Sequence, residues 1–394
     1  MGPRIGGARA RCRPLLPCGH REIPDPHRAR RRLSHYREPG CADRRGAAGL
    51  GPLLCDPPRL VMFRERKRYD VIHCLDTRLA VIWPALAYAK AHGIPIVSDW
   101  IDWWGRGGLI EERRPGWYKA TLGGVETWFE EHYRAKLDGL TTISHALMRR
   151  GIDLGCKPER CIVINGAADM TTFANPSTKE EARARAGLPL DAPIVCFSGL
   201  DVLIDLPLAV RAFEIIHEKM PDARLLLVGP TEAEARAASS PATPLPAITA
   251  LGKVPYKELP SVLPAAYLFL LPYPNKIVNV GRWPNKIGDY MAVGRPTVAN
   301  PVGELNELFQ RFPVGLLAGE TAEDMAASSL HLLRDPELAN EIGRKARKAA
   351  ETDLSWSSQI ERLENWYQDI LTAKSQSSSY RGVPQPHVPA SPAG

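Results

Sequence analysis

Arg282-Trp283-Pro284-Asn285-Lys286-Ile287-Gly288-Asp289-Tyr290-Met291-Ala292-Val293-Gly294-Arg295-Pro296-Thr297-Val298-Ala299-Asn300 is the stretch that decides how this chain folds. Pro284 and Asn285 stand where a helix begins, Ile287, Tyr290 and Met291 recur at helical spacing, and Gly294 is a C-terminal stop. A helix of about nine residues is expected, entering a buried strand over 297–300. Lys286 falls in the first turn, where free backbone N–H groups favour an anion, and Asp289 shares its face three residues on. A phosphate and a ribose can both be met from that face. An ordinary crossover helix with a solvated Lys and Asp fits the composition equally well.

The same alternation extends to both sides. Short Val/Ile/Leu-rich runs are separated by amphipathic segments at 206–220, 321–333 and 336–351, the pattern of an α/β protein with a parallel sheet covered on both faces. A chain of 394 residues exceeds what one core organises, and domains commonly hold about 100–200 residues, so two α/β domains are expected. No apolar run approaches the ~18–20 residues of a membrane span, and the N-terminus has no signal-peptide core, which predicts a cytoplasmic protein. Eight cysteines without C-x-x-C spacing read as reduced thiols.

The net charge of +7 is unevenly placed. Residues 1–60 carry 13 Arg, no Lys and 5 Asp+Glu, which is +8; the rest has 51 − 13 = 38 basic and 44 − 5 = 39 acidic residues, which is −1. A nucleic-acid partner would have to rest on the first 60 residues alone, and none is expected. That segment mixes prolines with runs such as Arg28-Ala29-Arg30-Arg31-Arg32 and shows neither strand nor helix periodicity. It reads as a disordered basic tail or a mis-called start. Cys12, Cys18, His20, His27, His35, Cys41 and Cys55 match no familiar zinc spacing.

The 282–300 segment resembles the donor-site motif of the retaining glycosyltransferases of family 4. The likeness continues in order through 194–200, 223–229, Leu251-Gly252-Lys253-Val254-Pro255, Gly303-Glu304, Val314-Gly315 and Ser355-Trp356, and covers about residues 69–372. It implies the GT-B architecture of two facing Rossmann-like domains with parallel sheets, the N-terminal one incomplete. The boundaries expected are 1–60 for the tail, 61–185 for the acceptor-side domain and 186–355 for the nucleotide-sugar domain. A C-terminal helix over 356–373 should pack back on the first domain, with 374–394 a disordered tail.

The resemblance also implies roles. Lys286, helped by Arg282 and the amides at Asn285, would stabilise charge on a leaving diphosphate. Asp289 would take the ribose, the backbone near Val254 would edge the base, and Gly199 would belong to the donor-nucleotide site. In the loop after a strand at 94–98, Asp99 and Asp102 are candidates for contact with sugar hydroxyls, Asp102 beside the reacting centre. A turn or capping Asp is an equal reading of either. The reaction implied retains anomeric configuration and needs no obligatory metal or cofactor beyond the nucleotide-sugar co-substrate. Two departures stand out: the family's paired glutamates are here Gly281 and Asp289, and its Arg/Lys pair falls in 200–205, which has no base.

Five of nine tryptophans, Trp100, Trp103, Trp104, Trp117 and Trp128, lie within 29 residues together with Arg106, Arg113, Arg114 and Lys119. Such a mixture suits a carbohydrate platform, a peripheral membrane contact or the core of a small domain. The partners expected are a nucleotide-sugar donor and a glycan, lipid-linked or small-molecule acceptor, as in polysaccharide biosynthesis. A catalytically impaired scaffold and a nucleotide-sugar epimerase on the same fold are the alternatives.

Overall fold

The computed structural model describes residues 69–199, 205–240 and 247–380. The expectations for residues 1–60, for the zinc-like Cys/His set within them and for most of the 200–205 loop lie outside the described residues.

The first half runs β1 (Ile72–Cys74), α1 (Leu79–His92), β2 (Ile96–Trp100), α2 (Leu109–Arg113), α3 (Gly116–Thr121), α4 (Gly123–His132), β3 (Gly139–Thr142), α5 (His145–Asp153) and β4 (Cys161–Val163). Its strands form a parallel sheet in the order β1-β2-β3-β4. The second half runs α6 (Lys179–Ala186), β5 (Ile194–Ser198), α7 (Asp205–Lys219), β6 (Arg224–Val228), α8 (Glu232–Ala238), β7 (Ile248–Ala250), β8 (Leu268–Leu271), α9 (Ile277–Gly281), α10 (Lys286–Ala292), β9 (Thr297–Ala299), α11 (Glu304–Arg311), β10 (Gly315–Leu317), α12 (Ala322–Arg334), α13 (Pro336–Glu351) and α14 (Trp356–Tyr380). Its six strands are also parallel, ordered β10-β9-β8-β5-β6-β7. The chain leaves β5 in one direction and returns on its other side at β8, so the switch point lies between these two strands. Ligands of open α/β sheets bind in the crevice at such a point, beyond the carboxyl ends of the strands.

The β5, β6 and β8 runs are apolar except for Ser198 at the end of β5 and Arg224 at the start of β6, because both faces are covered. Cys196, Leu226 and Phe269 pack under α6, α10 and α13, while Val195, Leu225 and Leu268 pack under α7 and α12. α6 belongs to this second core through Ala182 and Ala186. The helix after Pro284 has seven residues instead of about nine. It starts at Lys286 and ends where Gly294 takes φ 69°, a left-handed turn that suits glycine.

α14 continues to Tyr380, past the expected end at 373. No Pro or Gly interrupts the sequence up to that point, and Lys374 Nζ holds the carboxylate of Asp138 at 2.9 Å. Trp366, Tyr367 and Ile370 of α14 cover Val71 and Val97 of the first sheet, so the last helix of the chain closes one face of the first half.

Candidate donor site at the switch point

Strand β5 ends in Ser198-Gly199, and the crevice beside it is where the positive charge gathers. Lys286 Nζ lies so close over Gly199 that a Cβ there would fall 2.3 Å from it, so the small residue is what admits the amine to the strand tip. The amine also sits 5.1 Å above the Phe197 ring and 3.7 Å from Asp205 Oδ2 at the start of α7. Arg282 is fixed by donating Nε–H to the Tyr273 hydroxyl at 3.0 Å, with its guanidinium 5.3 Å from that ring. Tyr273 follows β8, so the one connection between β8 and β9 sets Arg282 near the end of β8 and Lys286 at the end of β5.

Asp102 faces Arg282 and Arg113. Burial raises its pKa, and the fields of Arg282 and Arg113 work against that rise. Burial lowers the pKa of Arg282, but Tyr273, Asp205 and Asp102 outweigh it and keep the guanidinium charged. An anion entering here would meet two held cations, each already facing a carboxylate, Asp205 beside Lys286 and Asp102 and Asp205 in the field of Arg282.

Asp289 lies one turn along α10 and contributes differently. Burial pushes its carboxyl up to about 7, against the hydrogen bond that the Tyr256 hydroxyl donates at 3.1 Å; Asp169 adds to the rise. It sits at the edge of the crevice, near the loop that carries Val254, which is half-buried against the core. Asn285 has helical φ and ψ, makes no side-chain cap bond and is exposed, with its side chain against Gly166. Asp99 is not brought into the cluster. Its carboxylate accepts from Thr141 Oγ1 at 2.6 Å and from the Trp100 amide at 3.0 Å, which ties it to the sheet.

The walls of the crevice are clasped together by groups the sequence reading did not assign. Glu304, buried at the start of α11, accepts from the His145 amide and Nδ1 at 2.8 Å each and from Asn165 Nδ2 at 2.9 Å. Ser144 Oγ donates to the Gly281 carbonyl at 2.7 Å. Glu304 stands in the Gly303-Glu304 pair that marked its segment; its pairing with Asn165 and His145 is a property of the fold. Gly281, which stands where the family carries its first glutamate, is buried against Trp103, and its backbone serves the clasp instead.

Two parallel α/β sheets facing one crevice, with a cationic cradle at the carboxyl end of the second sheet, define a GT-B glycosyltransferase. Residues 6–166 match the family model described as "Glycosyl transferase 4-like domain", and residues 192–335 match that described as "Glycosyl transferases group 1". The chain belongs to the family 4 glycosyltransferases. The first match begins at residue 6 and so takes in the arginine-rich segment read as a tail from its composition. Alpha-maltose-1-phosphate synthase of Mycolicibacterium smegmatis is 25% identical over 83% of this chain and 85% of its own length. D-inositol 3-phosphate glycosyltransferase of Thermobispora bispora is 30% identical over 54% of this chain; the chain spans about half, 51%, of that enzyme. Among solved structures, HepE of Anabaena in complex with UDP and glucose has TM-score 0.54 at 16% identity, covering 84% of this chain and 83% of that one.

Proposed function

We propose that this glycosyltransferase moves a sugar from a nucleoside-diphosphate sugar to a glycan, lipid-linked or small-molecule acceptor with retention of anomeric configuration. The observation that carries the donor assignment is Lys286 set against the glycine at the tip of β5, with Arg282 held in the field of Asp205, the carboxylate that Lys286 also faces. Cleaving the anomeric C–O bond leaves the electron pair on the diphosphate, and two pre-positioned cations are what that developing charge requires. Lys286 and Arg282 replace the Arg/Lys pair that family members carry after the equivalent of β5. Asp289 takes the ribose hydroxyls, the backbone around Val254 edges the base, and Asp102 holds sugar hydroxyls beside the anomeric carbon. With cations supplied by side chains, this chemistry calls for no metal or other cofactor. HepE, which shares the fold, is described in complex with UDP-glucose, and that supports a nucleotide-sugar donor.

The test is a product assay with UDP-, GDP- and ADP-sugars, read by NMR for anomeric configuration. An α-linked product from an α-linked donor is expected. Inversion, or hydrolysis without transfer to any acceptor class, would count against the proposal.

A further inference from the structure

Tryptophan is normally more than half buried, and this chain places three on its outside within one region of the first half. Trp83 is 54% exposed, Trp117 64% and Trp128 45%. Trp83 donates Nε1–H to the Tyr133 hydroxyl at 3.0 Å, and the Trp128 ring meets Tyr133 edge-on at 5.6 Å, so α1 and α4 present their indoles on one surface. Trp117 extends it from α3, and Val125 lies on the same outward face of α4 as Trp128, three residues before it.

The inward face of these helices is settled independently. Tyr118, Gly123, Thr127 and Glu130 are buried, and Glu130 accepts from Trp100 Nε1 and the Trp104 amide at 2.9 Å each and from the Gly105 amide at 2.6 Å. The indoles therefore face out because the polar anchor faces in. Between residues 113 and 128 the exposed positions are small, apolar or cationic, with Arg113 and Lys119 among them. The single acid of that stretch, Glu126, is only partly exposed and takes the Tyr118 hydroxyl hydrogen.

Exposed indoles, small residues and the Lys119 ammonium on one face match the headgroup layer of an anionic bilayer, where an indole is half in hydrocarbon and half in water. We propose that the outer face of α3 and α4, with Trp83, is a docking surface for an anionic membrane. The excursion that carries it begins at the crevice: Glu112 of α2 lies 3.7 Å from Lys276 Nζ, and Gly107 abuts Ile277. Docking there sets the mouth of the crevice at the lipid surface. This rests on the glycosyltransfer reading and selects the lipid-linked class of acceptor from it.

The experiment is co-flotation of the full chain with phosphatidylcholine vesicles, with and without phosphatidylglycerol, beside nucleoside-diphosphate titration of the same samples. The parent floats with the anionic vesicles, and Trp117→Ser with Trp128→Ser lowers the partition coefficient on the order of tenfold or more. Lys119→Glu lowers it on anionic vesicles alone. Nucleotide affinity stays at the parental value in both variants, which separates failure of the surface from failure of the donor site. Equal flotation of parent and double variant would overturn the proposal, as would no flotation of the parent. A parent that sediments as a dimer, and becomes a monomer in the double variant, would assign the face to a second copy of this chain and overturn it too.

Discussion

Lys286 illustrates what one residue does in this fold. Its position in the first helical turn is written in the sequence, but the seven-residue α10 is too short for its dipole to act alone, and the amine itself reaches the strand tip over Gly199. Lys286→Ala is expected to lower turnover by about 10²–10³-fold, the scale for losing one pre-organised charge-stabilising group, with the fold kept. A steady-state assay alongside circular dichroism checks both halves of that statement. Asp289 gives a pH-dependent prediction. Its carboxyl sits at about 7 in the folded chain, above the unfolded value of 3.8, so the protonated form is the stabilising one and stability declines as pH rises from about 4 through 7. Asp289→Asn should therefore raise the thermal midpoint more at pH 8 than at pH 5 while weakening nucleoside-diphosphate binding at both. A midpoint difference independent of pH would remove Asp289 from its buried position. Lys286, Arg282, Asp289 and Gly199 were legible because they stand inside recognisable local patterns. Tyr273, Asp205 and Tyr256 were not, because they reach the crevice from other strand ends and carry no local mark of doing so. Asp99 read as well as Asp102 in sequence; only the Thr141 hydroxyl across the sheet distinguishes them.

At the scale of elements, the long amphipathic helices and apolar strands of the second half fell within a residue or two of their sequence positions, since both period and punctuation agree there. The clasp between α5 and α11 was invisible, since it joins residues 159 apart. Its energetics lie in Glu304. Burial alone would raise that carboxyl, but the hydrogen bonds from His145 and Asn165 outweigh it and hold it below the ordinary value. In return the Glu304 hydrogen bond raises His145 against its own desolvation. A histidine raised in the folded state contributes stability that is whole below about 6.5 and fades as pH rises through the raised value. Glu304→Gln should cost about 1–3 kcal/mol, the penalty for unmatched partners around a buried group. The loss should be larger at pH 6 than at pH 9, read as thermal midpoints. An equal loss at both would mean that His145 is neutral throughout and the clasp is a neutral hydrogen bond.

Across the whole molecule, the two halves are tied by the clasp at the crevice and by α14 at the back. Trp366 lies 5% exposed against the first sheet, and a Cβ on Gly139 would fall 2.7 Å from its ring, so the two surfaces are fitted closely. Trp366→Ala is expected to destabilise the chain by about 3–5 kcal/mol, measured by denaturant unfolding with tryptophan emission. Because the site of damage is on the first sheet, nucleotide affinity of the folded fraction should hold. Two α/β domains were readable from period and length; how the last helix returns to the first sheet came from the family likeness, because nothing in the composition of 356–373 names its partner.

The most direct test is calorimetric titration of the full chain with UDP, GDP and ADP, set beside Arg282→Ala, Lys286→Ala and a surface control, Lys345→Ala, whose partner is Glu341. The parent is expected to bind one of the three, each cradle variant to bind it about tenfold or more weakly, and the control to match the parent. Parental affinity in both folded cradle variants would contradict this, and would move the donor diphosphate away from the tip of β5.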